Sequence, residues 1–345
     1  MRNFLALLLA GLLVSQTASS AICVGKNCEL INSVAEEAGF SLNQILTELD
    51  TNIVYPIVNV QRKLVSWEGG LIQFTPRGSE NTVKVTLWGA GAWKQVNIDT
   101  TSLSRYVDFN LSGDYYSKIN STSFSYYTGN ASLLFGIELP VNKNTDLILN
   151  GGFWSGPIDY GLGISHENIQ ETSGRFGIGV RQKLYSIGIA DAFVLGGFVF
   201  GHRETDMTVA GTKIMIRYSG GSVTWEGEEK YFEKVTYVAT PALLGIAFNT
   251  PWLTLSAAVG GSVIFQRGNI IMSKMGPVGP YGGYHNIGAL SDVDIAEIAL
   301  VPTVTFGAES GVEKGPSVAV SFRPGFNNMP TGGSLGLGWK FLITK

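Results

Sequence analysis

From about Gly70 onward the chain takes a period of two, and apolar side chains recur at every second position in long runs. In "NASLLFGIELP", Ala131, Leu133, Phe135, Ile137 and Leu139 share one face, opposite Asn130, Ser132, Gly136 and Glu138. In "GRFGIGVRQKLY", Phe176, Ile178, Val180 and Leu184 oppose Arg175, Arg181 and Lys183, and "DIAEIALVPTVTF" sets Ala296, Ile298, Leu300, Val304 and Phe306 against Glu297, Ala299, Thr303 and Thr305. The last strand, "SLGLGWKFLITK", alternates in the same way through Leu335, Leu337, Trp339, Phe341 and Ile343. A period of two is the signature of strands with two different faces.

Length separates two explanations of that pattern. Strands in globular proteins are about 5–6 residues long, whereas a tilted strand that crosses a bilayer takes about 9–11. The runs here fit the second class. Their connections also alternate: short at residues 140–145, 186–191, 248–252 and 309–316, and long at 155–173, 203–230 and 268–291. Counting back from the C-terminus places strands at 334–344, 315–324, 292–308, 252–267, 232–248, 190–203, 174–186, 145–155 and 128–139, with 103–113, 82–93 and 70–76 upstream. The expectation is an all-β, closed antiparallel transmembrane β-barrel of about 12 strands, with ten as the alternative, whose last strand pairs with its first so that no edge is left open in hydrocarbon.

A different period precedes the barrel. "MRNFLALLLAGLLVSQTASSA" has the positive start, short apolar run and small-residue end of a secretory signal, expected over residues 1–21. Leu30, Val34 and Ala38 then recur at helical spacing, and Ser41 can cap a second run through Leu42, Ile45, Leu46 and Leu49. Residues 22–69 are therefore expected to form a helical plug or a periplasmic segment, most simply at the periplasmic mouth, with the barrel over 70–345. Cys23 and Cys28 are the two cysteines, and in an oxidising compartment they are expected to form a local disulfide. Lipidation at Cys23 is disfavoured by the bulky Ile22 before it.

Composition narrows the class further. Only 15% of residues are charged, and the 44 glycines are nearly twice the usual share. The net charge of −3 with no basic run argues against nucleic acid as a partner. Together with the alternating C-terminal strand bearing Trp339 and Phe341, residues 70–345 resemble the bacterial outer-membrane β-barrel class. That class usually ends on an aromatic residue, whereas this chain ends Ile343-Thr344-Lys345. The resemblance implies location in the outer membrane of a Gram-negative cell, with membrane lipid, lipopolysaccharide and the assembly machinery as partners.

Candidate chemistry lies on the inward face. Lys84, Asp108, Glu138, Asp146, Arg175, Arg181, Lys183, Glu297, Arg323 and Lys340 are expected to line the lumen among Gly, Ser and Thr. They can pair and fill it, or line a gated channel in which Arg175, Arg181 and Lys183 favour anionic groups. The three histidines, His166, His202 and His285, sit in no nucleophile-elbow pattern, so no enzymatic activity, catalytic residue, metal or cofactor is expected. His202, Glu204 and Asp206 share a face at the outer rim, where charge is expected because the rim is wet. The expected function is a porin-like passive channel for small or hydrophobic solutes; the alternative is a closed anchor whose extracellular loops bind a ligand, as in an adhesin.

Overall fold

The computed structural model describes residues 21–25, 27–37, 41–70, 82–99, 101, 107–108, 123–159, 168–218, 221–279, 285–311, 314–326 and 328–342. The signal expected over 1–21 therefore lies outside the described residues except for Ala21, as does nearly all of the strand expected at 70–76. The described strands are β1 (Ile22–Val24), β2 (Thr82–Asp99), β3 (Val107–Asp108), β4 (Ser123–Asn142), β5 (Thr145–Asp159) and β6 (Asn168–Ile187). They continue as β7 (Ala190–Tyr218), β8 (Gly221–Asn249), β9 (Leu253–Gly279), β10 (His285–Gly311), β11 (Gly315–Arg323) and β12 (Thr331–Leu342).

Ten of these strands form a closed antiparallel ring. β4 to β12 each pair with the next strand in sequence, and β12 zips onto β2 from Thr331 against Trp93 to Leu342 against Thr82. The ring therefore has the smaller of the two expected strand numbers. β1 and β3 belong to the same sheet but stand outside the ring, against β10 and β7. The strand expected at 103–113 is reduced, among described residues, to Val107–Asp108, because β2 pairs directly with β4 from Lys84 against Glu138 to Asp99 against Ser123.

Two segments expected as long loops are strand. β7 and β8 are 29 residues each and β9 and β10 are 27, so residues 203–218, 221–230, 268–279 and 285–291 extend the ladders as projecting hairpins. Backbone pairing continues from Arg203 against Val235 to Tyr218 against Gly221, interrupted by one bulge. Across this ladder Glu204 pairs with Lys234 at 2.8 Å.

The outward face is a girdle of apolar side chains. Phe176, Phe198, Leu244, Leu300, Leu337 and Trp339 are each half exposed or more, as lipid-facing residues of a barrel are. On β7 the outward residues are apolar up to Phe200 and polar from His202, which marks one edge of the girdle.

The N-terminal segment forms α1 (Cys28–Glu37), α2 (Leu42–Leu49), a π turn at Asp50–Val54 and α3 (Tyr55–Gly69). Pro56 has no N–H to give the preceding turn, and the π turn absorbs that missing bond. α3 is rich in β-branched residues, including Ile57, Val58 and Val60, which are modest helix formers; burial of ten of its residues holds it helical. The Cys23–Cys28 disulfide ties β1 to the start of α1.

Candidate functional site

Successive contacts with β10 give the direction in which the helical segment enters the barrel. β10 runs from the long-connection end at His285 to the short-turn end at Gly311. β1 pairs with Gly288 to Leu290, Asp50 accepts a hydrogen bond from Ser291, and Arg62 pairs with Glu297. Gly70 lies against Arg323, which stands on β11 one residue beyond the Phe306–Phe322 pair. The chain thus enters from the long-connection end and descends the lumen. Its first described residues, Ala21 to Val24, lie at the long-connection end.

Two arginines receive the bottom of α3. Arg323 donates to the carbonyls of Trp67 at 3.3 Å and Gly70 at 3.0 Å, and Arg175 donates to that of Glu68 at 3.1 Å. These are the carbonyls a helix leaves without partners at its C-terminus, where the macrodipole also attracts positive charge. The Arg323 guanidinium lies 5.4 Å from the centre of the Trp67 ring, within cation–π range. Gly332 makes room for that indole: a Cβ there would stand 2.4 Å from Trp67 Cζ2.

Below the helix, toward the short turns, three cations and three anions form one chain. Lys340 Nζ lies 2.9 Å from Glu309, whose other oxygen is 2.6 Å from Lys84 Nζ; Lys84 is 3.9 Å from Glu138, and Arg181 joins Glu138 at 2.7 Å to Asp146 at 3.0 Å. All six residues are buried. Their formal charges cancel, so Arg181 is committed to two carboxylates, and the anion preference expected from it has no free charge behind it.

The lumen wall around α3 mixes the expected small polar residues, among them Thr128, Ser262 and Thr303, with two apolar clusters. On one side Val58 and Val65 pack in a buried cluster with Ile148, Leu195, Val235 and Ile264. On the other, Val60, Leu64 and Trp67 pack with Trp88, Ala92, Val96 and Leu134. An aqueous porin lumen is polar; here two apolar patches, on the wall and on the helix that covers it, interrupt the polar lining of the middle of the lumen.

Two sequence candidates stand apart from these layers, and the side chain of a third, Asp108, lies outside the described residues. Lys183 is half-buried near the β6–β7 turn, beside a bulge. Glu297 meets Arg62 and accepts from Gln266 at 2.9 Å. Sequence reasoning passed over Arg62, Glu309 and the buried pair Arg203–Glu233, the last at 3.3 Å with Tyr231 also donating to Glu233 at 2.6 Å. Extending the inward phase of β10 by three pairs from Thr303 finds Glu309, and continuing β7 past residue 203 finds the pair. Of the rim trio, His202 bonds Thr236 at 3.0 Å and Glu204 pairs with Lys234 at 2.8 Å, while Asp206 is exposed. No three His, Cys, Asp or Glu residues stand together as a metal site among the described residues.

The closed ring, its apolar girdle and its internally satisfied strand edges make the chain an outer-membrane β-barrel. No protein-family model and no curated protein matches it. Among solved structures it is similar to the translocator domain of autotransporter NalP from Neisseria meningitidis, at 13% identity over 85% of this chain and 98% of that one, with a TM-score of 0.37. It is also similar to the transport unit of the autotransporter AIDA-I from Escherichia coli (11% identity, 83% and 97% covered, TM-score 0.32) and to a Pseudomonas aeruginosa FadL homologue (7%, 76% and 91%, TM-score 0.27).

Proposed function

We propose that this barrel is a passive channel for small apolar solutes, held shut at rest by its own helix α3. The observation that carries the reading is the pair of apolar patches in the middle of the lumen, each covered by α3. Where water fills a pore, bare Leu134, Ile148, Val235 and Ile264 would be poorly solvated, so the wall demands an apolar cover. α3 is that cover, and an apolar solute is the chemistry able to replace it. Transport follows the concentration gradient.

A disulfide between α3 and the wall tests the gate. A Cβ built on Gly69 lies 3.4 Å from Ala239 Cβ, close to the roughly 3.5–4.5 Å of natural disulfides, with the Tyr237 ring giving way slightly. In Gly69→Cys/Ala239→Cys, uptake of a radiolabelled apolar solute by cells carrying the barrel is expected to fall at least tenfold when oxidised. Mild reductant should restore it, with wild type treated alike to control for Cys23–Cys28. Equal uptake in the locked and unlocked forms would refute gating by α3, and no uptake in either would refute the channel.

A second reading, a closed anchor that displays binding surface, is favoured by the projecting hairpins of β7 to β10 and by the position of β1 at the same end. Under it, trimming residues 208–230 abolishes adhesion of barrel-bearing cells to a glycan-coated surface and leaves solute uptake unchanged. Unaltered adhesion would count against display by this hairpin.

A further inference from the structure

Asp50, at the π turn that leads into α3, is 2% exposed. Its carboxylate accepts from the Ser291 hydroxyl on one oxygen and from the Ala21 backbone nitrogen on the other. Among the described residues no Lys, Arg or His side chain forms an ion pair with it. A buried carboxylate served only by neutral donors is poorly compensated, and burial pushes its pKa up despite both hydrogen bonds. Ala21 is itself buried. Directly before it the sequence reads Ala18-Ser19-Ser20, small residues at the positions a signal peptidase reads.

We propose that the precursor is cut between Ser20 and Ala21, and that the α-ammonium so formed is the cation that pairs with Asp50. This moves the processing point one residue upstream of the boundary that composition alone suggests. Signal peptidase adds water across the Ser20–Ala21 bond: the oxygen goes to the Ser20 carbonyl carbon, which leaves as a carboxylate, and the Ala21 nitrogen leaves as an ammonium. The bond that frees the chain thus creates its anchor. β1 runs on from Ala21 along β10, and Asp50 sits at the head of the helix that fills the lumen, so one ion pair ties the new N-terminus to the top of the plug.

Two readouts test this on the protein purified from outer membranes of cells making the full precursor. Intact mass and N-terminal sequencing are expected to give Ala21 as first residue; Ile22 or any other start overturns the proposal. Amine acylation at neutral pH, read on the N-terminal peptide by mass spectrometry, is expected to be at least tenfold slower in the folded protein than in denaturant. Asp50→Asn is expected to remove most of that protection. An α-amine that is equally reactive folded and denatured overturns the ion pair, and this comparison needs only wild type if the variant does not accumulate.

Discussion

Replacing Arg181 by methionine is expected to destabilise the barrel by about 3–5 kcal/mol, the cost of stripping one partner from a buried ion pair. Arg181 lies 2.7 Å from Glu138 and 3.0 Å from Asp146, and its removal leaves a net charge of −1 among the five buried groups that remain. Lys84 stands 3.9 Å from Glu138 and is already engaged at 2.6 Å by Glu309, so it offers little relief. The measurement is the urea midpoint for loss of compact, heat-modifiable migration in detergent. The double variant Arg181→Met/Asp146→Asn should recover much of the loss, because it removes a cation together with one carboxylate and leaves Lys84 and Lys340 to balance Glu138 and Glu309. A single variant within about 0.5 kcal/mol of wild type would mean the layer behaves as a solvated surface network, whose pairs contribute little.

The parts of this fold that were legible in sequence are those in which one face meets lipid and the other meets polar groups. Along "GRFGIGVRQKLY" and the final strand the two environments differ, and period two appears. It fades where both faces are apolar. In "ALLGIAF" and "SVIFQ", Leu243 and Ile264 point inward while Leu244 and Phe265 point to lipid, so the inner apolar surface was hidden in what read as greasy runs. Recognising that surface needs knowledge of α3, and α3 was itself obscured by its β-branched residues and by Pro56. The choice between twelve strands and ten was open for a related reason: Val107 and its neighbours alternate well enough for a strand, yet nothing local says whether the strand joins the ring or pairs outside it, with β7. The ionic layer was half legible, since alternation gives the inward face of Lys84, Glu138 and Arg181, but not the order in which they pair across it.

Arg323→Met tests how firmly the plug is seated. The substitution keeps most of the side-chain volume while removing two charge-assisted hydrogen bonds, to the carbonyls of Trp67 and Gly70, and the cation over the Trp67 ring. Hydrogen bonds to charged groups contribute about 1.5–3 kcal/mol each, partly offset here by water reaching the freed carbonyls, so a loss of about 2–4 kcal/mol in docking is expected. At about 1.4 kcal/mol per factor of ten, this raises the undocked fraction of α3 roughly 30- to 700-fold. Arg175 still holds the Glu68 carbonyl, so most molecules stay closed. Hydrogen exchange at the amides of Val58 to Trp67 should accelerate by that factor while the ring strands β4 to β8 exchange as before. Arg323→Lys should recover only part of the protection, because a point charge cannot span two carbonyls as the guanidinium fork does. If exchange in α3 is unchanged by Arg323→Met, the helix is held by its apolar faces alone, and opening the channel requires a solute that competes for the Leu64 and Trp67 side of the helix against Trp88 and Leu134.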